Sequence, residues 1–169
     1  KEPKVEDYIK KNFKEALSIK GAQIYYNISV TGLSDYDIPI AIVFKALGIV
    51  SDKDIVRFIT ETEETSIYTK WIQPSLRFAH AININTQEQA IRYIACLKSG
   101  FKEPTENDYA FVQSIIDKDI LPHLLKDQLR KCYYIGFMVK RTIDCHLGIL
   151  EFNDRDHYSN KRVDLAGHL

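Results

Sequence analysis

The sequence is short of the features that announce the simplest functional classes. Its three cysteines, Cys96, Cys132 and Cys145, show no CxxC spacing. An odd number so placed fits neither a disulfide framework nor a zinc site, and a reducing compartment suits it better. No apolar run approaches the roughly 20 residues that span a bilayer. The charged N-terminus lacks the apolar stretch of a signal peptide. An excess of one charge is missing too, because 23 Lys plus Arg balance 23 Asp plus Glu. A formal charge of zero argues against a free-standing nucleic-acid binder held by a broad basic field, while leaving room for a local basic patch. There is no internal repeat and no low-complexity segment. The start at Lys1, not Met, and the end at Leu169 in mid-pattern suggest a piece of a longer chain.

What is present is enough for one ordinary domain: 169 residues, of which 45% are apolar. Val5, Tyr8, Ile9, Phe13, Ala16 and Leu17 recur at helical spacing up to Gly21. Alternation over 22–30 predicts a half-buried strand, with Tyr25 and Tyr26 facing opposite sides. Asp37 is the expected cap of an apolar, buried helix over 40–47, with Pro39 in its first turn and Gly48 at its end. Ser51 is the expected cap of a helix reaching about Thr60, and the acidic residues 61–64 read as exposed. Ile67, Trp71, Leu76 and Phe78 predict helix with a kink or break at Pro74. Residues 81–84 have the pattern of a short strand that would pair with 22–30. Thr86 and Gln89 form a capping-box pattern for a helix to about Leu97, ended by Gly100. Residues 107–118 predict another helix, with Tyr109, Val112 and Ile116 on one side, before Pro122 interrupts.

The longest helix is expected over 127–147, with Leu129, Cys132, Tyr133, Gly136, Val139, Ile143 and Leu147 on one face. Gly136 in mid-helix costs about 1 kcal/mol relative to Ala, so it implies the close approach of another element. Cys132, on the apolar face, is expected to be buried and inert. The expected fold class is mainly α with a small β element (α+β). The domain would occupy 1–150, and 151–169 would form a charged connector.

That tail packs Asp154, Arg155, Asp156, His157, Lys161, Arg162 and Asp164 close together. Physics alone leaves three chemistries open. Asp154, Asp156 and His157 could ligate a metal, although no further partner with ligand spacing is visible. Arg155, Lys161 and Arg162 could meet phosphates, with acidic neighbours fixing their rotamers or accepting from base amino groups. A solvated loop with internal ion pairs is the third. The other candidates read as ordinary structure. His80, His123 and His146 are scattered and suit a polar partner or solvent, and Trp71 with Phe78 suits the core better than base stacking.

The string Asp154-Arg155-Asp156-His157-Tyr158-Ser159-Asn160-Lys161-Arg162-Val163-Asp164-Leu165-Ala166-Gly167 resembles a signature of the second-largest subunit of multisubunit DNA-directed RNA polymerase, of the eukaryotic, archaeal or viral type. In that family an Asp-Asp-(Arg/Lys)-Asp-His pentad precedes a small loop, a basic pair and a short apolar step to Gly. Three further segments resemble it in the same order. They are Asp37-Ile38-Pro39-Ile40 with the apolar run behind it, Ile120-Leu121-Pro122-His123-Leu124, and Tyr134-Ile135-Gly136-Phe137-Met138-Val139-Lys140-Arg141. Asn153 stands where the first Asp of the pentad is usual, Ser159 where Gly is usual and His168 where Pro is usual. Residues 1–36 match weakly.

The resemblance implies a polymerase lobe, a wall of the downstream DNA cleft and a docking surface for small subunits or initiation factors, with 151–169 leading toward the fork and protrusion. It implies no catalytic residue and no cofactor on this stretch, because the magnesium of the assembled polymerase is held mainly by the largest subunit, a principal partner together with DNA. No membrane role is implied. In bacterial relatives an Asp and an Arg of the matching motif help form a pocket for an unpaired non-template base. Carried over, these are Asp156 and Lys161, with Arg162 placed to meet backbone phosphate; Lys in place of Arg removes bidentate recognition. Asp154, Arg155, His157 and Gly167 are assigned to the motif's own structure. A nucleus is the implied location, or cytoplasm for a viral or archaeal chain. Two other classes remain open here: a mainly helical interaction module unrelated to transcription, and an independent nucleic-acid-binding domain. Zero net charge counts against the latter.

Overall fold

The computed structural model describes residues 27–28, 38–60, 66–100 and 102–151. Strand β1 (Asn27–Ile28) pairs antiparallel with β2 (Ile38–Pro39), Asn27 opposite Pro39 and Ile28 opposite Ile38. The helices are α1 (Ile40–Ala46), α2 (Asp52–Thr60), α3 (Ser66–Ala81), α4 (Gln87–Lys98), α5 (Glu106–Ser114) and α6 (Gln128–His146). A wide π turn, Ile115–Asp119, prolongs α5, and a 3₁₀ turn, Pro122–Leu124, precedes α6. The fold is mainly α with a small β element.

Helix α1 sits in the middle, with all seven residues buried. A short buried helix must satisfy its free backbone ends without water, and neighbouring helices do this. Ala41 N donates to Ser75 Oγ at 3.0 Å, and Gln87 Nε2 donates to Ala46 O at 3.0 Å. Helix α1 begins at Ile40 as the sequence predicts, while Pro39, expected in its first turn, adopts an extended ψ of 136° and belongs to β2. Ser75 serves the helix end where Asp37, which lies outside the described residues, was the expected cap. Gly48 turns the chain at φ +97°. Lys45 is the charged member of α1. Its Nζ donates to Ile84 O at 2.9 Å and lies 3.5 Å from Asp52 Oδ1.

Helix α3 runs through Pro74 unbroken. Residues 81–84 are not a strand. Ala81 ends α3, and Asn83 turns the chain at φ +55°. Ile82 N and Ile84 N then donate back to Phe78 O and Ala79 O. The turn buries both isoleucines, and the ladder partner of β1 is β2. The capping box forms as the pattern predicts: Gln89 N donates to Thr86 Oγ1 at 3.3 Å, and Thr86 N donates to Gln89 Oε1 at 3.1 Å. A second box joins Thr105 to Asp108 at the start of α5. Val112 and Ile116 are buried, and Tyr109 is partly buried against the core. The first predicted helix, Tyr25, Tyr26 and residues 61–64 lie outside the described residues.

Helix α6 packs along α2. A Cβ on Gly136 would lie 2.3 Å from Phe58 O, closer than any real contact, so glycine lets the two backbones meet. The buried face of α6 carries Lys131, Cys132, Ile135, Gly136, Val139, Ile143 and Asp144. Cys132, Gly136, Val139 and Ile143 face inward as predicted. Leu129 and Tyr133 instead face outward, 53% and 58% exposed. Both sides of α6 are apolar, so apolar spacing fixes the period and leaves the phase open.

Candidate nucleic-acid interface and its anchoring helix

Asp156, Lys161 and Arg162, with Asp154, Arg155, His157 and Gly167, lie outside the described residues. What the structure describes is the helix that leads into them and how its end is held. Asp127 caps the start of α6, its Oδ1 accepting from Arg130 N at 3.0 Å. The far end is tied to α3. Tyr68 Oη donates to Asp144 Oδ1 at 2.5 Å. The edge of one ring meets the face of the other where Trp71 and His146 pack, centroids 4.8 Å apart.

A carboxylate at a helix C-terminus is electrostatically misplaced, and the Tyr68 hydroxyl offsets this by donating to it. The same bond raises the Tyr68 pKa above its ordinary value of 10.0, helped by burial and by the charge of Asp144. The Asp144 carbonyl accepts from Ile149 N at 2.9 Å and Leu150 N at 3.3 Å, and Gly148 makes the turn at φ +72°. The chain therefore leaves α6 toward the charged segment from a fixed point on the domain.

Sequence reasoning misses the two buried lysines. Lys131 Nζ donates to Ile116 O at 2.6 Å and Asp117 O at 2.9 Å, closing carbonyls that the π turn leaves open. Burial lowers its pKa, and the nearby Asp117 works in the opposite direction. A lysine four residues after a capping aspartate gives no sequence signal of burial. Also missed is the outward aromatic row of α6. Tyr133 packs on Phe58 with centroids 4.6 Å apart, and Tyr134 lies between His123 and Phe137. An apolar residue every third or fourth place on the outer side, offset from the buried stripe, is the signal that reveals it.

The described side chains form a scaffold and a surface. Cys132 is buried, and desolvation pushes its thiol up to about 12. Cys96 is raised for the same leading reason. Neither thiol has the lowered pKa of a nucleophile. His80 pairs with Asp52. Trp71 and Phe78 pack against the core. Among the described residues no group of three or more His, Cys, Asp or Glu side chains could hold a metal ion.

The sequence is 38% identical over 136 residues to "DNA-directed RNA polymerase II subunit 2" of Arabidopsis thaliana, covering 79% of this chain and 11% of that one. It is 35% identical over 136 residues to "DNA-directed RNA polymerase II subunit RPB2" of Schizosaccharomyces pombe, with the same coverage. It is 36% identical over 135 residues to "DNA-directed RNA polymerase subunit Rpo2" of Saccharolobus solfataricus, covering 78% of this chain and 12% of that one. The chain thus spans only a small part of the length of these relatives. Residues 16–164 match the family described as "RNA polymerase Rpb2, domain 2". A single match that takes in every helix from α1 to α6 and most of the charged segment after them means that the chain belongs to the RNA polymerase Rpb2 domain 2 family.

Proposed function

We propose that the chain works as the lobe of the second-largest subunit of a DNA-directed RNA polymerase, a nucleotidyltransferase of transcription. In this reading it forms a wall of the downstream DNA cleft and a docking surface for small subunits or initiation factors. Its partners are the other polymerase subunits, the largest above all, and DNA in the assembled enzyme. The setting is the nucleus, or the cytoplasm for an archaeal or viral polymerase. The observation that carries the reading is the continuous family match over residues 16–164, which includes the basic pair. It speaks against an interaction module unrelated to transcription. The role is positional: the chain supplies geometry and charge, and magnesium is held elsewhere in the assembled enzyme.

Lys161 and Arg162 contact the DNA backbone in this reading, with Asp156 beside them at a base. Asp154, Asp156 and Asp164 neighbour the pair in sequence, so the segment's field largely cancels beyond a Debye length of about 8 Å in physiological salt. At contact distance a positioned cation still meets a phosphate. Affinity therefore comes from assembly, and the chain alone binds DNA weakly and polymerises nothing. In the whole polymerase, Lys161→Ala with Arg162→Ala shortens the lifetime of the transcription complex. It also flattens the salt dependence by roughly one slope unit per lost phosphate contact. Unchanged lifetimes at every salt concentration, together with a lower melting temperature, would make the pair structural and end the phosphate reading.

A further inference from the structure

Three consecutive residues at the end of α6 each hold something. The Asp144 carboxylate accepts from Tyr68 Oη at 2.5 Å, and its carbonyl accepts from Ile149 N and Leu150 N of the outgoing chain. Cys145 Sγ lies 3.8 Å from Glu151 O, within reach of a weak thiol hydrogen bond. The His146 ring packs on Trp71, centroids 4.8 Å apart. Tyr68 and Trp71 both stand on α3, at a spacing that brings them onto one face of the helix. Asp144 is therefore a joint, with α3 on its side chain and the outgoing residues on its backbone.

Stability alone gives little reason for this joint. The body of α6 is already held along α2, where Gly136 meets the backbone of Phe58. A carboxylate in the last turn opposes the helix dipole, and His146 is exposed. What the joint fixes is direction. Gly148 turns the chain at φ +72°, and Asp144 and Cys145 keep Ile149, Leu150 and Glu151 against the helix end. The charged run that carries the basic pair follows at once.

We infer that Tyr68 and Asp144, with Trp71 and His146 beside them, are positioning residues for Lys161 and Arg162: they fix where the chain leaves the domain, and so concentrate the basic pair at DNA. This deepens the phosphate contact proposed above and rests on it. Roughly 10 residues separate Glu151 from Lys161, and about 17 separate Asp144 from it, so releasing the joint lengthens the tether; effective concentration falls roughly as the −3/2 power of that length, a loss of about twofold.

The test is a cycle of variants in the assembled polymerase. Tyr68→Phe with His146→Ala removes both ties to α3 through side chains that are half-buried and exposed. The lifetime of the transcription complex is measured for the parent, for this pair, for Lys161→Ala with Arg162→Ala, and for all four changes together. The pair should shorten the lifetime about twofold in the parent. It should have no effect once the basic residues are gone, because a coupling vanishes with either partner. Equal shortening in both backgrounds would make the joint merely structural and overturn the inference. No shortening in the parent would overturn it too, and so would a Tyr68→Phe, His146→Ala subunit that fails to assemble. If Lys161→Ala with Arg162→Ala by itself leaves the lifetime unchanged, the phosphate contact falls and this inference falls with it. A basic pair that matters, joined to any of the three earlier results, sinks this inference alone.

Discussion

The two faces of helix α6 are built from similar residues and meet different fates. The inner face sets Cys132, Ile135, Val139 and Ile143 against the core, and Gly136 brings its backbone onto Phe58. The outer face sets Leu129, Tyr134, Phe137 and Met138 toward solvent. The difference lies in fit. The inner face has a glycine where the neighbouring backbone passes, and a lysine where open carbonyls need a donor. The outer face has flat, amphipathic rings with room to adapt. Apolar composition says that a face wants cover, while the small and polar residues set within it say whether this domain supplies that cover.

The largest effect should come from Gly136→Ala. The added methyl meets backbone, which cannot rotate away, 2.3 Å from Phe58 O. Helix propensity would gain about 1 kcal/mol, and parting α2 from α6 should outweigh it. The expected net loss is roughly 3 kcal/mol, the upper end for overpacking. Denaturant unfolding of the chain reads it directly. An unchanged or higher midpoint would mean that the inner face is no tighter than the outer one.

This close approach is legible in the sequence, because a glycine inside a long amphipathic helix has few other reasons to be there. The capping box at Thr86 and Gln89, the buried helix after Pro39 and the turn at Gly48 are legible for similar reasons, since each is a local demand met by a local residue. What escapes is whatever depends on distant partners. The strand partner of β1 is Ile38–Pro39, and residues 81–84 fold back onto α3 instead. Lys45 and Lys131 become core residues only because carbonyls of Ile84, Ile116 and Asp117 come within reach. In the candidate site, Lys161 and Arg162 stand out from a solvated charged run only through the family motif. Their spacing alone leaves metal, phosphate and ion-pair readings open.

Lys131→Met probes the polar half of the inner face and should rank second. The thioether keeps the length of the side chain and leaves Ile116 O and Asp117 O without their donor. Unmade hydrogen bonds in the interior cost about 1–3 kcal/mol each, and relief of the buried charge returns part of that. A net loss of roughly 1–2 kcal/mol follows, with the damage concentrated in the π turn. Amide hydrogen exchange should quicken at Ile115–Asp119 and not at α3. Exchange that leaves this turn as protected as before would show that it holds without the lysine.

Tyr68→Phe tests the seam where the two faces meet at the end of α6. Losing the bond to Asp144 should cost about 1 kcal/mol near neutral pH. The pH dependence has a definite sign. The folded pKa of Tyr68 lies above its ordinary 10.0, so above pH 10 the unfolded chain releases this proton first. Stability from this group is complete below pH 10 and is lost as pH climbs toward the folded value. The difference in melting temperature between the parent and Tyr68→Phe should therefore narrow above pH 10. A gap that stays constant or widens would place the hydroxyl outside the Asp144 bond.

Within the 169-residue chain the smallest effect is expected from Phe137→Ser, and its smallness there sharpens the comparison most. Phe137 is 45% exposed, its ring met by Tyr134 and Arg141 along the same helix. Removing it forfeits a modest ring contact and a cation–π contact of about 0.5 kcal/mol at an exposed site. It also takes apolar surface out of water. In the 169-residue chain these terms should nearly cancel, leaving stability within about 0.5 kcal/mol of the parent. In the full subunit the same change reads whether anything covers this face, because a covered face loses a buried aromatic, worth about 3–5 kcal/mol when truncated in a core. Parallel melts of the chain and of the full subunit separate the two cases. A loss of several kcal/mol in the chain alone would mean that the outer face already belongs to this domain's own core. A near-zero loss in both would mean that nothing covers it.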